Sequence, residues 1–73
     1  MIEVRLFATL REGRNKLVFL EPEEINCGHD LLTKLDILPQ ELAIFLINGL
    51  HSSLDTPIHD GDILALFPPV GGG

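Results

Sequence analysis

The sequence predicts an α+β roll, a mixed sheet with one main helix packed across one face. Three observations carry this expectation. An alternating stretch near the start is followed by a turn and a returning apolar stretch; one stretch of helical spacing comes next; and two short, continuous apolar runs come last, each bounded by turn residues. With 73 residues the chain holds one small domain, which buries about 60% of its unfolded surface and has a stability of roughly 4–11 kcal/mol.

Residues 2–10, IEVRLFATL, set Ile2, Val4, Leu6 and Ala8 on one face and Glu3, Arg5, Phe7 and Thr9 on the other, a period of two that reads as a first strand. Phe7 is the odd member, a large aromatic on the polar face. Residues 11–15, REGRN, form a turn, and residues 16–20, KLVFL, the return strand of a hairpin. Glu21-Pro22 stops it, because proline has no N–H for the ladder. Asn26 then reads as a helix N-cap, with Asp30 near the positive helix end. Cys27, Leu31, Leu32, Leu35 and Leu38 fall on one side of a helix over roughly residues 27–36, and Pro39 forbids a helical conformation at Leu38.

Residues 43–47, AIFLI, have the continuous apolar character of a central strand buried on both faces. Asn48-Gly49 is a tight-turn pair, and a short strand follows within residues 50–53. Leu54-Asp55-Thr56-Pro57 and His59-Asp60-Gly61-Asp62 are turns. Residues 63–67, ILALF, form the last strand, and Pro68-Pro69 ends it as a stiff, extended neck. The helix covers one face of the sheet. The other is partly apolar, with Phe7 standing on it.

Five Lys plus Arg against eleven Asp plus Glu give a net charge of -6, which excludes direct nucleic-acid binding, since phosphates need clustered cations. Residues 1–16 carry +2 and residues 17–73 carry -8. The acidic part reads as a solvated face or, more sharply, as a surface steered toward a basic protein partner. One cysteine permits no internal disulfide. No leader-like segment or apolar run of about 18 residues is present, so no membrane partner and a cytoplasmic location are expected.

The chemistry is concentrated in Phe67-Pro68-Pro69-Val70-Gly71-Gly72-Gly73. Six residues beyond Phe67 span at most about 20 Å. Glycine lacks Cβ, so such a strip threads a slot too narrow for other residues and leaves the terminal carboxylate open. The functional reading is a probe whose reactive atom is the Gly73 carboxylate, delivered into another protein's active site; the plainer one is a frayed terminus. The expected division is a domain over residues 1–70 and a flexible glycine tail over residues 71–73.

Here the chain resembles the small sulfur-carrier proteins of cofactor biosynthesis, which have a ubiquitin-like β-grasp fold. The segments that carry the resemblance are Arg5-Leu6-Phe7-Ala8-Thr9-Leu10-Arg11-Glu12, Asp30-Leu31-Leu32-Thr33-Lys34-Leu35, Ile47-Asn48-Gly49, Asp55-Thr56-Pro57-Ile58, Asp60-Gly61-Asp62-Ile63-Leu64-Ala65 and the Phe67-to-Gly73 end. The diproline leans toward the small subunit of molybdopterin synthase (MoaD-like) rather than the thiamine sulfur carrier (ThiS-like). The family pattern usually has alanine or serine where this chain has Gly71, and an apolar residue near His51.

The resemblance implies that the chain is not an enzyme by itself. A ubiquitin-activating-like adenylyltransferase would use ATP and Mg to adenylate Gly73, so this chain binds no cofactor of its own. A sulfur donor protein would convert the acyl-adenylate to a thiocarboxylate. The tail, with Gly72 beside the reacting carboxylate, would enter the molybdopterin synthase large subunit and give up its sulfur to a pterin precursor. The implied partner-binding residues are Phe7, Phe67, Pro68, Pro69, Val70 and Gly71. The competing functions are a thiamine-type or other sulfur carrier, a protein modifier joined through Gly73 to lysine, and a binding module with an inert tail.

Other reactive residues have plainer readings. Cys27 is a buried, inert small hydrophobe on the helix face. His29, His51 and His59 lack ligand spacing, so no metal is expected. Asp60 and Asp62 belong to a turn. No phosphate-binding glycine loop precedes a helix, which leaves ATP to the partner.

Overall fold

The computed structural model describes residues 1–69. Its strands are β1 (Ile2–Leu6), β2 (Leu17–Leu20), β3 (Ile44–Ile47), β4 (Leu50–His51) and β5 (Ile63–Phe67), with one helix, α1 (Gly28–Leu35), between β2 and β3. Short 3-10 turns occupy Ala8–Arg11 and Pro39–Glu41. The sheet order is β2-β1-β5-β3-β4, with β1 and β5 parallel at its centre and the other pairs antiparallel. This is the predicted α+β roll, a ubiquitin-like β-grasp.

The core lies between α1 and one sheet face. Strand alternation supplies Ile2, Val4, Leu6, Leu64, Leu66, Phe45 and Ile47, and the helix supplies Leu31 and Leu32. Gly28 lets α1 approach closely. A Cβ there would lie 2.7 Å from Leu54 Cδ2 and 3.1 Å from Phe45 Cε2. The turn between β3 and β4 has φ of 52° at Asn48 and 82° at Gly49, the paired positive values of a tight hairpin. Asn48 Nδ2 donates to Asp62 Oδ1, while Asn48 Oδ1 accepts from the Ile63 N–H, locking this turn to the start of β5.

Several expectations need correction. The first strand stops at Leu6 rather than residue 10, because Ala8 turns to φ 53° and the chain enters a 3-10 turn that buries Leu10. Arg11 therefore belongs to that turn, and β2 begins at Leu17. Cys27, not Asn26, is the helix N-cap; it makes no side-chain capping bond, and Asp30 Oδ2 accepts the Asn26 N–H. Cys27 is half-buried rather than buried. Leu38 is 55% exposed because the helix ends at Leu35 and Asp36 takes a left-handed φ of 57°.

β3 is buried on one face only, since Ile44 is 37% exposed. β4 is two residues long. The chain paths at residues 54–57 and 59–62 are turns and loops, as expected. The proposed boundary at residue 70 lies outside the described residues. Among the described residues no helix is long and apolar enough to cross a membrane.

One basic residue has a structural use the sequence reading missed. Arg14 Nε donates to the Leu35 carbonyl at 3.0 Å and Nη2 to the Asp36 carbonyl at 2.7 Å. A cation thus satisfies the open carbonyls at the negative end of α1 and ties the first hairpin to the helix.

Candidate functional site

The same alternation that fills the core leaves a second sheet face bare of helix. Cross-strand register aligns Leu17, Arg5, Ala65, Leu46 and His51 in one row across it. A neighbouring row holds Phe19, Glu3 and Ile63, and Phe67 stands opposite Ile44. Phe19 is 53% exposed, and Leu17, Ile44 and Ile63 are each about two-fifths exposed. Clustered apolar side chains open to water mark an interaction surface.

Phe7 and Phe67 meet on this face. Their rings stack with centroids 4.3 Å apart and planes 11° from parallel. The cause is parallel pairing, which sets Leu6 opposite Leu66 and continues one residue further, where the Phe7 N–H donates to the Leu66 carbonyl at 3.2 Å. The Arg11 guanidinium lies 5.5 Å from the Phe7 centroid, and its Nε donates to the Leu6 carbonyl at 2.8 Å. Both rings are half-buried, and the pair stands beside the exit of the central strand. Pro68 is half-buried and Pro69 exposed. Val70, Gly71, Gly72 and Gly73 lie outside the described residues.

The sequence reading named two aromatics of this face and missed Leu17, Phe19, Ile44 and Ile63. The available signal was the absence of alternation in β2, β3 and β5, whose unbroken apolar runs place apolar groups on both faces. His51 is exposed on β4, at the rim opposite Leu46. His29 Nε2 lies 3.0 Å from Asp55 Oδ1. Among the described residues no three His, Cys, Asp or Glu side chains gather into a possible metal site. Asp62 serves a turn, accepting the His59 N–H as well as the Asn48 amide.

A β-grasp of this size, with a bare apolar sheet face at the exit of its last strand, defines the class of small ubiquitin-like carrier proteins. The model of the ThiS family matches residues 4–73, and the chain belongs to that family of MoaD/ThiS-like sulfur carriers. Among solved structures it is similar to SAMP1, small archaeal modifier protein 1, of Haloferax volcanii, at 30% identity and TM-score 0.66, covering 99% of this chain and 98% of that one. It is also similar to a chain in the complex of subunits 1 and 2 of molybdopterin-converting factor from Helicobacter pylori 26695, at 27% identity and TM-score 0.66, covering 99% and 97%. A third likeness is to the Haloferax volcanii protein HVO 2177, at 31% identity and TM-score 0.74, covering 99% and 85%. No curated protein sequence matches the chain.

Proposed function

We propose that the protein carries sulfur for molybdopterin biosynthesis as the small subunit of a molybdopterin synthase, with its reactive atom at the Gly73 carboxylate. The observation that carries this reading is the site of exit. The central strand ends at Phe67, stacked on Phe7 on a bare apolar face, and Pro68-Pro69 follow at once. A partner seated on that face would hold the root of the tail while the glycines enter its active site.

A carboxylate is a poor electrophile until one oxygen becomes part of a good leaving group. A partner adenylyltransferase transfers AMP from ATP to Gly73 and releases pyrophosphate. A donor protein then releases sulfur at the sulfide level, and this hydrosulfide adds to the acyl carbon and expels AMP, leaving the carbonyl carbon bonded to one oxygen and one sulfur. The resulting thiocarboxylate is a soft, ionised nucleophile comparable to a thiolate. Gly72 and Gly71 present no Cβ to obstruct either step. ATP and its Mg belong to the activating partner, and the exchange takes place in the cytoplasm.

Likeness to SAMP1 favours a second reading, a modifier joined to lysine, because both routes begin with the same adenylate. Intact mass of the protein isolated from its own cells separates them. One oxygen replaced by sulfur at Gly73 supports the carrier, whereas lysine-linked adducts support the modifier. An unmodified terminus in the presence of activating enzyme and sulfur donor overturns both. Deleting Gly72 and Gly73 is expected to leave the melting temperature unchanged and to abolish sulfur loading.

A further inference from the structure

The first hairpin closes around a notch at the edge of the same bare face, sharing Phe7 and Leu17 with it. β1 and β2 part after the Arg5–Leu17 pair. Just beyond it the Leu6 N–H donates to the Lys16 carbonyl at 2.9 Å, and the Leu6 carbonyl accepts from Arg11 Nε at 2.8 Å. One strand-end residue thereby anchors Lys16 on one side and Arg11 on the other. The space between is a cavity of about 260 Å³ bounded by Glu3, Arg5, Phe7, Arg11, Lys16 and Leu17.

Its charge opposes that of the molecule. Three cations and one carboxylate border the notch, a balance of +2, in a chain of net charge -6; all other residues together carry -8. Glu3 is taken by Arg5, at 2.5 Å. Among the described residues neither Arg11 nor Lys16 pairs with a carboxylate. The notch therefore offers two uncompensated cations over an aromatic and aliphatic lining.

We propose that this notch is a docking site for an acidic side chain of a partner protein, carried on a segment with an apolar neighbour. Its open shape argues against a nucleotide or similar small molecule, because such sites enclose most of the ligand, whereas this one is bounded by the exposed side chains of Arg5, Arg11, Lys16 and Leu17. A carboxylate would reach Arg11 and Lys16 while its apolar neighbour lies along Leu17 and Phe19, both exposed on β2. The contact would give orientation and a faster encounter more than affinity. It does not depend on activation of Gly73, and its test uses no activating enzyme.

The probe is the peptide acetyl-Leu-Glu-Phe-Asp-amide, titrated into the 15N-labelled full chain at low salt, with acetyl-Leu-Gln-Phe-Asn-amide as its neutral counterpart. The acidic peptide should shift the amides of residues 5–7, 11, 16 and 17 at millimolar concentration, and its binding should weaken as salt rises. Lys16→Glu should weaken it about tenfold by turning attraction into repulsion, while Lys16→Arg should retain it. Equal binding of the neutral peptide would overturn the proposal, as would shifts confined to residues outside the hairpin. Inorganic phosphate giving the same shifts at the same concentration would also overturn it, by showing a general anion site.

Discussion

Replacing Phe7 with alanine tests whether the aromatic pair is interface or core. A fully buried phenylalanine costs about 3–5 kcal/mol when cut to alanine. Phe7 is half-buried, and its two special contacts are the Phe67 ring at 4.3 Å and the Arg11 guanidinium at 5.5 Å. A stacked pair contributes about 0.5–1.5 kcal/mol, and an exposed cation–π contact about 0.5–1 kcal/mol. Half of the roughly 1.5–3 kcal/mol for fully burying a phenylalanine adds to these contacts, so Phe7→Ala should cost about 2–4 kcal/mol. Urea unfolding of the wild type, Phe7→Ala, Phe67→Ala and the double variant gives the coupling between the rings, expected at about 0.5–1.5 kcal/mol. Binding to a synthase large subunit should fall tenfold or more, as for an aromatic anchor at an interface. Unchanged partner affinity would refute the interface reading, and a loss near about 5 kcal/mol alongside it would make Phe7 a core residue.

Gly28→Ala should destabilise by about 1–3 kcal/mol in thermal unfolding, although alanine is the better helix former. The new Cβ would lie 3.0 Å from Leu54 Cα, and backbone cannot swing aside as a side-chain tip can. Arg14→Met removes the donors to the Leu35 and Asp36 carbonyls and should cost about 1–3 kcal/mol; faster amide exchange at the end of α1 would locate the effect, and Arg14→Lys should rescue it only in part, having no planar fork. Lys34 Nζ lies 2.7 Å from Glu24 and, as hydrogen-bond donor, holds that carboxyl below its ordinary value. The linked stability is present above the unfolded pKa of glutamate, near 4.5, and is lost as pH falls through the lower folded value. Lys34→Met should therefore reduce the steepness of the acid limb of a stability–pH profile, and an unchanged limb would remove this pair from the account.

How much of this was legible beforehand depended on whether the signal was local. β5 was readable to the residue, because Gly61-Asp62 and Pro68 punctuate an apolar run of five. The Asn48-Gly49 hairpin was equally plain, since few residue pairs tolerate two positive φ values. The carrier-like end was visible as residue types, a diproline before three glycines, whose chemistry needs no tertiary contact to be recognised.

Other features had no local signature. Alternation alone ran the first strand on to residue 10, but a strand lasts only as long as its neighbours pair with it, and β1 turns away after Leu6 at the left-handed Ala8. Nothing in the spacing of Arg14 announces carbonyls that are 21 and 22 residues away. The second face of β3 reads as buried until the strand order shows that a single helix covers one side only. Composition and periodicity thus determined the elements and the kind of terminus, because both are properties of neighbouring residues. Only the tertiary structure decided which apolar side chains remain exposed, which cations are consumed as caps, and that Phe7 meets Phe67, because burial and pairing are settled by residues distant in the chain.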